Sequence, residues 1–123
     1  MNKFPRLHRL KSATEFKQVF RCAKRYSTQY ITVYSCPNNL GFPRLGLSIS
    51  KKHIRNATDR NRIKRVARET FRLNQTNLGN KDIVVVAYKG ADSLSKPQQQ
   101  QRFQDLWKRL STQSKKTVIP ADR

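Results

Sequence analysis

Arg60, Asn61, Arg62, Lys64, Arg65 and Arg68 crowd into one short stretch of this chain, with Arg72 just beyond. Guanidinium groups fork onto phosphate oxygens, a lysine ammonium meets them as a point charge, and an asparagine amide can donate to backbone or base edges. Placed on a helix over 56–72, Ile63, Val66, Ala67, Thr70 and Phe71 fall on one side. Asn61, Lys64, Arg65, Arg68 and Arg72 fall on the other, at spacings that keep them in one stripe. Like charges so spaced repel and weaken an isolated helix, and a bound polyanion would offset that repulsion. Arg60 and Arg62 flank the apolar face, where they could reach a partner from either side.

Composition agrees with that chemistry. The 123 residues carry 27 Lys and Arg against 7 Asp and Glu, a formal charge of +20. The length suits one domain with a single modest core. A field this positive points to nucleic acid as the partner, with an anionic membrane surface as the competing reading. No apolar run is long enough to span a bilayer; nucleic acid is preferred to the membrane surface, and no membrane partner is expected. Residues 1–10 are basic but lack the apolar core of a secretory signal, which makes the cytoplasm the expected compartment. Cys22 and Cys36 lie far apart and read as free, partly buried thiols. With His8 and His53 they make no set of ligands at zinc spacing, and no metal site is expected in the protein. His53, beside Lys51 and Lys52, reads as an RNA contact or a plain loop residue. No phosphate-cradling glycine loop and no nucleophile motif is present, so neither a small-molecule substrate nor a protein catalytic centre is expected.

The elements that would position these groups can be read in order. Ser12 and Glu15 form a capping box, and a short helix follows with Phe16, Val19, Phe20 and Ala23 on one face. Residues 30–36 alternate as a strand, with Ile31 and Val33 on one side and Tyr30, Thr32 and Tyr34 on the other. A turn over 37–41 leads to a second strand, 44–50, with Leu45, Leu47 and Ile49 on one face. The basic helix comes next, with Thr58 or Asp59 as N-cap, and fades near Asn74. Residues 82–88 hold a continuous apolar run, Ile83 to Ala87, expected as a central strand covered on both faces. Pro97 fits the first turn of a last helix, whose Phe103, Leu106, Trp107 and Leu110 face the core. The glutamine run 98–101 reads as its solvated first turn. Residues 1–110 are expected to form one domain, and 111–123, without periodicity, a disordered basic tail. The order α-β-β-α-β-α, with a βαβ segment, predicts an α+β fold: a single compact two-layer αβ sandwich.

The run Gly46-Leu47-Ser48-Ile49-Ser50-Lys51-Lys52, then Asn56-Ala57, then Arg60-Asn61-Arg62-Ile63-Lys64-Arg65, resembles the signature of the bacterial ribonuclease P protein subunit. Residues 10–20 resemble that family's first helix, and 81–87 its buried strand. The resemblance covers nearly the whole chain apart from the tail. It departs from the family at His53-Ile54-Arg55, where a glycine is frequent.

The resemblance implies a ribosomal-protein-like sandwich with a left-handed βαβ crossover, against the general right-handed rule. It implies an RNA-binding subunit of an endoribonuclease that removes the 5′ leader from precursor tRNA. The catalyst would be a large RNA subunit with Mg²⁺ held mainly by the RNA and the substrate. Arg60, Asn61, Arg62, Lys64, Arg65 and Arg68 would then face the catalytic RNA, although some could instead hold the helix against its own connecting loops. Phe16, Phe20 and Tyr34 match the family's leader-cleft positions. Aromatic faces bind single strands with little sequence preference, yet Phe16 and Phe20 at i, i+4 read equally well as core. Ser48, Ser50, Lys51 and Lys52 would line the same groove and contact the leader backbone. Such a protein would favour precursor over mature tRNA and ease phosphate repulsion during Mg²⁺-dependent cleavage. The rival readings are a ribosomal or RNA-scaffolding protein without processing activity, and a DNA-binding helix.

Overall fold

The structure is a computed structural model that describes residues 9–10, 12–22 and 24–115. Its elements are α1 (Ala13–Cys22), β1 (Lys24–Thr28), β2 (Ile31–Pro37), β3 (Arg44–Ser48), α2 (Ala57–Leu78), β4 (Lys81–Ala87), a 3₁₀ turn (Ala91–Ser93) and α3 (Lys96–Lys115). They build one four-stranded sheet in the order β1-β2-β4-β3. β1 with β2 and β2 with β4 pair antiparallel, whereas β3 and β4 run parallel, joined through α2. The sheet and the α2–α3 pair make the expected sandwich, and α1 lies by itself on the opposite face.

β4 is the centre of the fold because it is apolar on both sides. Ile83, Val85 and Ala87 join Ile31, Val33 and Leu45 against α2 and α3. Val84 turns the other way and packs with Leu10, Val19 and Cys36 under α1. In the larger core Trp107 lies between Phe71 and Phe103, at ring distances of 5.7 and 6.0 Å. Its indole N–H donates to Thr70 Oγ1 at 2.8 Å, and that hydroxyl donates to the Val66 carbonyl. Both buried polar groups are thereby satisfied.

The helix starts follow sequence chemistry. The Ser12 Oγ accepts from the Glu15 amide and the Glu15 carboxylate accepts from the Ser12 amide, the reciprocal pair of a capping box. Ser95 and Gln98 repeat the device ahead of α3. Glu15 has a second role: with Asp82 it holds the Arg44 guanidinium, at 3.2 and 2.8 Å. Asn38 Nδ2 donates to the other Asp82 oxygen. This polar clamp ties the start of α1 to β3 and β4.

Several expectations are corrected. The strand β1 was not anticipated, so the order is α-β-β-β-α-β-α. Its sequence, Lys24-Arg25-Tyr26-Ser27-Thr28, turns only Tyr26 towards the larger core, and a short charged edge strand carries little hydrophobic signal. Tyr30 is not a strand residue on the Tyr34 face; it sits in the β1–β2 turn with φ 74° and packs on the larger core. β3 ends at Ser48 rather than at residue 50. α2 begins after Asn56, not at Thr58 or Asp59, and continues past Asn74 to Leu78. Gln99 is fully buried, not solvated, and donates to the Ala91 carbonyl at 3.1 Å. Cys36 is not a free thiol but disulfide-bonded, and its bonding partner lies outside the described side chains. Of the expected tail, α3 takes up residues to Lys115, and 116–123 lie outside the described residues.

Candidate nucleic-acid interface

α1 covers only part of its sheet face, and an aromatic groove opens beside it. Phe20, 42% exposed, meets Tyr34 edge-on at a ring distance of 4.8 Å. Tyr34 on β2 pairs with Val84, and Thr32 with Val86, so Tyr88 continues the same face of β4 by alternation. Burial pushes the Tyr88 phenol up, aided by a hydrogen bond with Tyr34, while a bond from Thr32 pulls the other way. His53 stands edge-on to Tyr88 at 5.3 Å. The groove therefore runs from Phe20 through Tyr34 and Tyr88 to His53. Arg25, paired with Tyr34 across the sheet, adds an exposed cation on the same face.

Of the residues assigned to a leader cleft from sequence, Phe20 and Tyr34 are together in this groove. Ser48, paired with Val86, is half-buried on the same face at the end of β3. Ser50, Lys51 and Lys52 are exposed on the loop that carries His53. Phe16 lies apart, towards β3: a Cβ on Gly46 would fall 2.7 Å from Phe16 Cζ, so glycine is what lets the ring lie on the strand. The sequence reading missed Tyr88 and Arg25 as site residues. The signal for Tyr88 was its place two residues beyond Val86 in an alternating strand.

The basic residues of α2 divide by direction. Arg60 Nη1 donates to the carbonyls of Ile54 and Arg55, each at 2.9 Å, and closes the loop that leads into the helix. Ile54 in that loop is fully buried. Arg62 Nη2 donates to the Asp92 carbonyl at 3.2 Å and lies 3.7 Å from Asp59. Both arginines flanking the apolar face thus reach their own protein's loops. Asn61 and Arg65 are exposed on the outer face. Lys64 and Arg68 turn towards β3, where they share a hollow with Phe16, Leu47 and Arg9. Burial, and secondarily Arg9, holds the Arg68 guanidinium below its ordinary range.

Among the described residues no three of His, Cys, Asp and Glu stand together. Glu15 and Asp82 both give oxygens to Arg44, which leaves a cation already in the place between them. No helix of the described residues is long and apolar enough to cross a membrane.

The chain is similar to known proteins over most of its length. A family model described as Ribonuclease P matches residues 4–111. The chain is 54% identical over 92 residues to the ribonuclease P protein component of Methylococcus capsulatus, covering 75% of this chain and 72% of that one. It is 47% identical over 106 residues to the protein component of Pasteurella multocida, covering 86% and 89%. Among solved structures it is similar to the ribonuclease P protein of Staphylococcus aureus, with a TM-score of 0.77, 32% identity, and 82% and 93% of the two chains covered. The Thermotoga maritima protein gives a TM-score of 0.73 at 29% identity, covering 82% and 96%.

Proposed function

The chain belongs to the ribonuclease P protein family, and from that premise we propose that it works as the RNA-binding subunit that helps a catalytic RNA remove the 5′ leader of precursor tRNA. The observation that carries this reading is the coexistence, in one small protein, of an aromatic groove and a separate basic helix face. A single-stranded leader has unpaired bases that stack on Phe20 and Tyr34, and Ser48, Ser50, Lys51 and Lys52 follow its backbone. Structured RNA is a dense array of phosphates, which Asn61, Lys64, Arg65 and Arg68 meet by charge and hydrogen bonding. Arg60 and Arg62 act in the same interface chiefly by fixing the two loops that frame it. Phe16, which lies towards β3 beside Lys64 and Arg68, serves the basic face rather than the groove.

In this reading the bond-breaking centre and the Mg²⁺ ions belong to the RNA and its substrate. The protein contributes affinity, discrimination between precursor and mature tRNA, and relief of repulsion between RNA strands. The working unit is one domain that includes the whole of α3, and the compartment is the cytoplasm, where tRNA precursors are made. A purely scaffolding protein needs the basic face but not the exposed aromatic groove, which is why that alternative is not favoured.

The test is cleavage of a 5′-extended precursor tRNA by the bare ribonuclease P RNA at low Mg²⁺, with and without the protein. Stimulated cleavage with correct mature 5′ ends is the expected result. Tight RNA binding with no stimulation would return the protein to the scaffolding class.

A further inference from the structure

The chain has two cysteines, Cys22 and Cys36, and Cys36 is disulfide-bonded. Cys36 lies on β2, 7% exposed, and packs with Leu10, Val19 and Val84 under α1. Cys22 is the last residue of α1. Each stands two places after a ring of the aromatic groove, Cys22 after Phe20 and Cys36 after Tyr34. Along a strand that spacing returns to the same face, so Cys36 follows Tyr34 on the groove side of β2. Phe20 and Tyr34 themselves meet at 4.8 Å. The start of α1 is fastened to the sheet, because Arg44 lies between Glu15 and Asp82 of β4. A disulfide from the end of α1 to β2 would fasten the other end, with Phe20 between the two ties.

Thiols of the cytoplasm are kept reduced, and the disulfides that do form there are usually transient, serving catalysis or redox sensing. A catalytic thiolate needs a cationic, partly open setting. Cys36 has an apolar and closed one, which leaves sensing. We propose that Cys22 and Cys36 form a reversible redox latch, which holds Phe20 against Tyr34 and so sets the grip of the protein on the 5′ leader. The proposal rests on the RNA-binding reading above and its cytoplasmic compartment, and adds a regulation of the groove. The oxidant is a small disulfide of the glutathione type. One cysteine thiolate attacks it, forms a mixed disulfide and releases one glutathione. The second thiolate then attacks the protein sulfur of the mixed disulfide and releases the other glutathione. Two cysteine thiols are thereby oxidised, and their two electrons and two protons end on two glutathione thiols. A reduced dithiol reverses the exchange. The latched state keeps the ring pair in place, so less freedom is lost when a base stacks. In the dithiol state only the Glu15 end of α1 stays tied, and Phe20 is re-seated each time a leader binds.

The test uses the holoenzyme, made from ribonuclease P RNA and the full chain, with the protein first equilibrated in oxidised or in reduced glutathione. Affinities for precursor and mature tRNA are measured in each state. Free thiols are counted on the intact protein by alkylation and mass spectrometry. Reduction should free both thiols of a monomer and weaken precursor tRNA by about three- to tenfold, the cost of ordering one side chain. Mature tRNA should be unaffected. Cys22→Ala cannot close the latch and should bind precursor as the reduced wild type does, in both buffers. Cys36→Val, which keeps a buried strand position apolar, is the second variant and should behave alike. Equal precursor affinity in the two buffers, while the thiol count changes, overturns the latch. Two alkylated thiols in the oxidised sample, or a covalent dimer there, overturn it as well. In each of these cases a retained preference for precursor over mature tRNA leaves the RNA-binding reading standing. Absence of that preference in both buffers overturns that reading, and the latch with it.

Discussion

On one face of the sheet Phe71, Phe103 and Trp107 are wholly buried; on the other, Phe20, Tyr34, Tyr88 and His53 meet at comparable distances and steep angles, yet Phe20 keeps 42% of its surface exposed. Residue type does not separate the two clusters. Coverage does: the first lies beneath α2 and α3, of 22 and 20 residues, and the second beside α1, of 10. Aromatic rings under two long helices become core, and rings beside a short helix stay partly exposed. α2 repeats the lesson with charge. Arg60 and Arg62, next to loops, donate to carbonyls of those loops, while Arg65, pointing outward, stays exposed.

If coverage is the deciding variable, substitutions on the two faces should have opposite profiles. Trp107→Ala should lower stability most, by about 3–5 kcal/mol, because it opens a cavity and removes the N–H that Thr70 Oγ1 accepts. Urea unfolding would measure it, and cleavage stimulation per folded molecule should be near wild type. Arg44→Ala removes the cation between Glu15 and Asp82 and should cost about 2–4 kcal/mol, since Asp82 is left largely buried with no cation and only the Asn38 amide as a donor. It should also loosen α1 and so lower precursor affinity, linking the two faces. Tyr34→Ala and Phe20→Ala should change unfolding little. They should weaken precursor tRNA by about 1–3 kcal/mol per stacked base and leave mature tRNA unaffected; equal losses for both RNAs would break the contrast.

Within α2 the same logic predicts that Arg60→Ala costs about 1 kcal/mol of stability through its lost carbonyl bonds. Arg65→Ala should leave the unfolding midpoint in place and reduce the salt slope of RNA binding. The smallest effect is in alkali. The Tyr88 phenol is raised in the folded protein, so the stability tied to its proton is complete below the ordinary tyrosine value of about 10 and is lost as pH climbs through the raised value. Tyr88→Phe should remove that part of the alkaline decline in a pH series of unfolding curves.

Much of this was legible before any fold was known. The spacing of Ile63, Val66, Ala67, Thr70 and Phe71 marked the buried side of α2, and all five are buried. Ser12 and Glu15 marked the start of α1, and the Phe103, Leu106, Trp107 and Leu110 stripe marked the core side of α3. The ordered set from Gly46 to Arg65 was enough to identify the family. These features are local: periodicity of 3.6 or 2 and reciprocal capping act within a few residues, so the sequence itself determines them.

What only the tertiary structure decided is whatever lies across a face from far away in the chain. β1 exists as a strand because Lys24–Thr28 finds β2, and its own pattern does not require it. Phe16 is drawn from the Phe20–Tyr34 groove towards β3 because Gly46 leaves room for its ring. Gln99 is buried because the 3₁₀ turn offers it the Ala91 carbonyl. The arginines of α2 were alike as a basic cluster, and they parted only when closure of the chain brought carbonyls to Arg60 and Arg62 and partial burial beside β3 to Arg68. Short-range periodicity can say which way a side chain points, but its partner is set by contacts between distant segments, which form together when the sheet assembles.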